Sequence, residues 1–303
     1  MTLIYYVGLF LCSVATTFSQ YKYGKSLRSN NDILIYIMIT GVMSMLFFGG
    51  ASCFCIVLNS RIIFYSVILT AISIISYYTQ LFVYKYMGVA EVSFITTGGK
   101  LLFTSIAGIV IFSEKVSLLS VIRISLMLLA VLFLFIEKSK IEIRNKKSES
   151  ERSKSTFSLG ILICVLIIII GTASTVVSKY IAIDTQVVSS ESVFFFTNLM
   201  ITAFSVVFLL FESRFRVKKV INAFKTVSAK QYLNVTLKTI AGSLSLIIGI
   251  LILSEGDVSF YVPLSNALGL IATQAVAFII LREKPLILPS IAAILSLIVA
   301  FWG

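Results

Sequence analysis

The chain has 303 residues, 58% of them hydrophobic and only 13% charged, with a mean hydropathy of +1.04. A soluble domain averages about 45–50% apolar and about 25% charged residues. The excess is too large for one buried core, so lipid must be part of the solvent. The formal charge of +12 would suit a nucleic-acid partner, but the basic residues sit in short loops between apolar runs, which argues for membrane topology and against nucleic acid.

Taken in chain order, apolar segments of about 20 residues, each able to cross about 30 Å of hydrocarbon as a helix, fall at roughly 2–20, 33–57, 62–84, 90–112 and 117–136. A polar stretch rich in lysine and arginine follows at 137–157, with the composition of a flexible charged linker. Five more segments fall at roughly 158–180, 189–211, 232–254, 258–280 and 286–302. The first is read as a retained span, because no basic region or small-residue cleavage site marks a signal peptide. The run Ile161–Ile170 lacks the alternation of a barrel strand. The expected fold is therefore an all-α integral membrane protein of ten transmembrane helices, a five-helix repeat over 1–136 and a second over 158–303.

The loops after odd-numbered spans hold nineteen lysines and arginines, and those on the other side hold Arg61, Lys115 and Lys179. Basic loops face the cytoplasm, so both termini are expected outside a multi-pass cell-membrane protein. The sequence also repeats. Ile111-Phe112-Ser113-Glu114-Lys115 returns as Ile280-Leu281-Arg282-Glu283-Lys284, and Ser13–Thr17 resembles Gly171–Thr175. An odd number of spans inverts the second repeat, a pattern common in secondary transporters.

The chain has no histidine. That removes the commonest metal ligand and proton relay, and with them Ser-His-Asp and Cys-His catalysis. No catalytic residue, metal site or cofactor is expected, and no enzyme. The cysteines Cys12, Cys53, Cys55 and Cys164 lie in apolar segments and are read as buried free thiols.

Lys100 is the sharpest feature. It lies about ten residues into the fourth span, about 15 Å from either surface, where an ammonium costs roughly 2.5–3.5 kcal/mol unless it faces a cavity or a partner. It reads as the counter-charge of an anionic solute or a proton-coupling group, against a structural lysine bonded to backbone carbonyls. Ser93, Thr97 and Thr104 share its face at helical spacing, and the matching positions 169 residues on include Asn266 and Thr273. Tyr77 and Gln80 stripe the third span, and Thr16, Gln20 and Thr175 add polar groups to the first and sixth. Each stripe could equally be polar helix packing. Glu114 and Glu283 close the fourth and ninth spans and read as structural or ion-coupling acids.

The inverted five-plus-five pattern, the small-residue run from Gly98-Gly99 to Phe112-Ser113-Glu114-Lys115 and the second glutamate at Glu283 resemble the drug/metabolite transporter superfamily, specifically its EamA-type members. Lysine at position 100 departs from the family pattern. The resemblance implies a central cavity lined by spans one to four and six to nine, with spans five and ten peripheral and available for a homodimer contact. It implies a secondary transporter in the lipid bilayer moving a small-molecule substrate by alternating access. The lysine favours an anionic or zwitterionic metabolite, such as an amino acid or organic acid. The alternatives are an exporter or flippase of amphipathic or lipid-linked compounds and a non-transporting membrane scaffold.

Overall fold

In hydrocarbon a backbone amide has no partner but another backbone group, so runs of Leu, Ile, Val and Phe fold into helices that satisfy themselves. The computed structural model describes residues 2–26, 30–52, 55–84, 86–114, 152–184, 188–214, 227–255, 258–280 and 282, with isolated positions within 118–136, 221–225 and 291–295. These residues form eight α-helices: α1 (Thr2–Ser26), α2 (Asn30–Ala51), α3 (Ser60–Val83), α4 (Val89–Phe112), α5 (Arg152–Ile183), α6 (Ser190–Glu212), α7 (Ala229–Glu255) and α8 (Val258–Ala275). A π-helical turn, Val276–Ile280, continues α8. Six of them, α2 to α7, are long and apolar enough to cross a membrane. Their surfaces leave Phe64, Val110, Leu162 and Phe211 bare, as lipid permits and water does not. The chain is a multi-pass α-helical membrane protein.

This corrects the expectation of ten transmembrane helices in two inverted five-helix repeats. The described residues give eight α-helices, six of them of spanning length and apolarity. Among the described residues the apolar helix at the end of α8, Leu268–Ile280, is shorter than a span. The segments expected at 117–136 and 286–302, like most of the charged stretch 137–157, lie largely outside the described residues. The helix that follows that stretch starts at Arg152, earlier than the apolar run itself.

Packing between the helices follows one rule. The main pairs are α2 with α6, α4 with α8, α1 with α7, α3 with α5, α1 with α8, α4 with α5, α2 with α7 and α3 with α6. Exchanging α1 with α5, α2 with α6, α3 with α7 and α4 with α8 carries each pair onto itself or onto another of the set. The matching helices α3 and α7 start 169 residues apart, as do α4 and α8. The recurring pentapeptide obeys the same offset in its backbone: Ser113 and Arg282 both turn left-handed, with φ of 54° and 55°. That conformation costs an L-residue roughly 1–2 kcal/mol.

Small residues and hydroxyls set the distances between helices, as they do where no water is available to drive packing. Ser66 Oγ donates to the Val193 carbonyl at 3.0 Å and Thr70 Oγ1 to that of Thr197 at 3.3 Å, fastening α3 to α6. Arg61 and Tyr65, near the start of α3, both reach Asp184 at the end of α5, at 3.3 and 3.1 Å. Phe48 of α2 stacks on Phe194 of α6 at 5.0 Å. The tightest point of that interface is Gly41, where a Cβ would collide with the Thr202 hydroxyl and stand 3.1 Å from the Asn198 carbonyl oxygen. Cys12 and Cys164 are buried free thiols, but Cys55 is exposed.

Gly41→Val should therefore lower the thermal midpoint of the detergent-purified protein by the equivalent of about 1–3 kcal/mol, the cost of overpacking. Gly50→Val on the same helix is the control. Its Cβ meets nothing within 4 Å, and the midpoint should stay put.

Candidate functional site

Lys100 sits mid-way along α4, and its alkyl chain lies across α5 at Gly171, where a Cβ would stand 3.3 Å from Lys100 Cδ. The missing side chain makes room for the lysine to turn inward. It opens into a cavity of about 330 Å³ bounded by α1, α4, α5, α7 and α8. Thr97 lines the cavity one turn from the lysine, and Ser13, Ser174, Thr175, Ser178 and Ser245 add hydroxyls. Ser13 and Thr175 spend theirs on their own helices, donating to Leu9 O at 2.8 Å and Gly171 O at 3.0 Å. Thr97, Ser174, Ser178 and Ser245 make no hydrogen bond to another described residue. Neither a hydrogen bond nor an ion pair joins the Lys100 ammonium to one. No described carboxylate lines this cavity.

A second cavity, of about 240 Å³, adjoins the first and shares Ser174, Ser178 and Leu246 with it. Its cation is Lys238, ten residues into α7. The ammonium lies over the ring of Tyr77 (α3), 4.5 Å from the centroid, and over that of Tyr36 (α2) at 5.4 Å. The two rings meet edge to face at 6.2 Å. Ser44 and Ser243 approach to 3.3 Å across α2 and α7. Thr40 lines the cavity at 1% exposure with its hydroxyl unpartnered. No described carboxylate lines it either. Cation–π contact contributes about 0.5–2 kcal/mol, whereas a mid-membrane lysine costs roughly 2.5–3.5 kcal/mol. The rings alone leave Lys238 under-compensated.

The other candidates divide between places. Gln20, Gln80, Ser93 and Thr273 line a third, smaller cavity of about 150 Å³. There Gln20 Nε2 donates to Gln80 Oε1 at 2.7 Å, and Thr17 and Thr273 approach to 3.4 Å. Tyr77 belongs to the second cavity. Thr104 is fully buried and donates to the Lys100 carbonyl at 2.6 Å. Thr16 donates to Cys12 O at 2.8 Å and lines none of the three. Glu114 folds back on the end of α4, where its Oε2 would lie 2.8 Å from a Cβ on Gly108. Its amide closes the helix on the Gly108 carbonyl at 3.2 Å. Glu283 and the side chain of Asn266 lie outside the described residues. Among the described residues no three His, Cys, Asp or Glu side chains gather where a metal could bind.

No family model matches the chain, and no curated protein matches it in sequence. A solved structure described only as "Crystal structure of protein" shares the fold, with a TM-score of 0.60 over 97% of each chain at 13% identity. The likeness extends to the architecture alone.

A lysine that ties backbone together stabilises the fold, and one held bare in a cavity strains it. Lys100→Met should raise the thermal midpoint in detergent by the equivalent of about 1–3 kcal/mol, a part of the insertion cost of the charge. A drop of that size would mark Lys100 as structural.

Proposed function

We propose that the chain is a secondary transporter, akin to the drug/metabolite transporters, that carries a small anionic or zwitterionic metabolite across the membrane by alternating access. The observation that carries this reading is Lys100. Its ammonium faces a cavity in the bundle where, among the described residues, four hydroxyls are uncommitted and no carboxylate lies. Such a cavity attracts a carboxylate and offers hydroxyl donors to its oxygens. It is also large enough for a molecule the size of an amino acid or organic acid. The exchange symmetry of the packing supports alternating access, because two sets of four helices that meet through equivalent contacts can rock about a site between them.

The test uses the purified protein and its Lys100→Gln variant. Organic acids and amino acids should raise the wild-type unfolding midpoint, by about 2.7 kcal/mol at about 100 times the dissociation constant, and leave the variant unmoved. Vesicles reconstituted with wild type and preloaded with the same solute should accumulate labelled solute by exchange, and variant vesicles should not. Organic cations that shift both proteins equally, or vesicles that exchange no anion, would overturn the proposal.

A further inference from the structure

The structure assigns a second anion subsite at Lys238, and we infer that the solute is a dicarboxylate whose two charged ends engage Lys100 and Lys238 together. The inference rests on the transport reading and narrows its substrate class. Four observations carry it. First, the two lysine cavities adjoin, since Ser174, Ser178 and Leu246 line both. Second, they follow each other along α7. Lys238 to Leu246 bounds one and Ser245 to Ile250 the other, so their centres are about 8 Å apart at 1.5 Å per residue. Two lysine stems, each with four flexible carbons, can close on a short diacid across that span. Third, among the described residues neither lining contains a carboxylate, and none makes an ion pair or hydrogen bond with either ammonium. The two positive charges have no counter-ion among the described residues. Fourth, the Thr40 hydroxyl beside the Lys238 cavity is buried and has no partner. A buried donor without an acceptor calls for a ligand oxygen or a water to receive its bond.

Tyr36 and Tyr77 give Lys238 a fixed seat. Their faces hold the ammonium from one side and leave its remaining donors for the cavity. A monocarboxylate would satisfy one lysine and leave the other uncompensated, so the site discriminates by charge number as well as by size.

Succinate, glutarate and adipate are titrated against the purified full chain, with butyrate as the single-carboxylate control, and binding is read from the unfolding midpoint. The best diacid should bind at least about tenfold more tightly than butyrate. Lys238→Gln should remove that preference, whereas Lys100→Gln should weaken binding of both diacid and butyrate. The wild-type comparison needs no variant. Thr40→Val, which deletes no existing hydrogen bond, should also reduce the diacid preference and serves if Lys238→Gln does not fold. Lys100-dependent butyrate binding without a diacid preference would overturn the two-charge inference and leave the transport reading standing. A preference that survives both Lys238→Gln and Thr40→Val would overturn it as well. Failure of every carboxylate to bind would overturn both.

Discussion

A lysine ammonium carried well inside an apolar helix must be kept out of hydrocarbon, and the described helices meet that constraint twice. On α4 the solution is steric. Gly171 of α5 has no side chain, so the Lys100 stem can cross it and reach the interior. On α7 the solution is electronic, with the rings of Tyr36 and Tyr77 receiving the charge. Both require helices remote in sequence to stand at set positions. The positions are held by close contacts such as Gly41 against α6 and by hydroxyls that bond carbonyls of the neighbouring helix.

Much of the fold was legible because the signal is local. Continuous apolar runs located every described helix, and the 169-residue offset seen in two pentapeptides returns in the backbone at Ser113 and Arg282. The count of ten spans does not carry over: the described residues give six helices of spanning length and apolarity, and the segments expected at 117–136 and 286–302 lie largely outside them. In α8 the helix changes its hydrogen-bonding period after Ala275, a property of backbone geometry that no count of residue types carries.

The candidate site was legible only along single helices. Lys100 and Thr97 share a cavity, as their spacing implied, but Ser93 and Thr104 on the same stripe do not. A stripe follows one helix, whereas the neighbours it meets change with depth: Ser93 faces the glutamines of α1 and α3, and Thr104 is spent on its own helix. Lys238 is a charge within an apolar helix, like Lys100. Its significance depends on Tyr36 and Tyr77, contributed by two other helices, and only the tertiary arrangement puts those rings beneath it.

Lys100 belongs to the first four helices and Lys238 to the last four, and under the exchange that relates the two sets neither lysine falls on another. Lys100 corresponds to Gly269 and Lys238 to Leu69. Any rocking of one set against the other therefore changes the gap between two like charges. At about 10 Å and an effective dielectric of about 20, that repulsion is roughly 1–2 kcal/mol. Under the transport reading an empty bundle would be spring-loaded against contraction, and a doubly charged guest would release the spring by neutralising both ends. Occupancy and closure would then be linked by simple electrostatics, with no separate latch needed to tell the protein that its cargo is aboard.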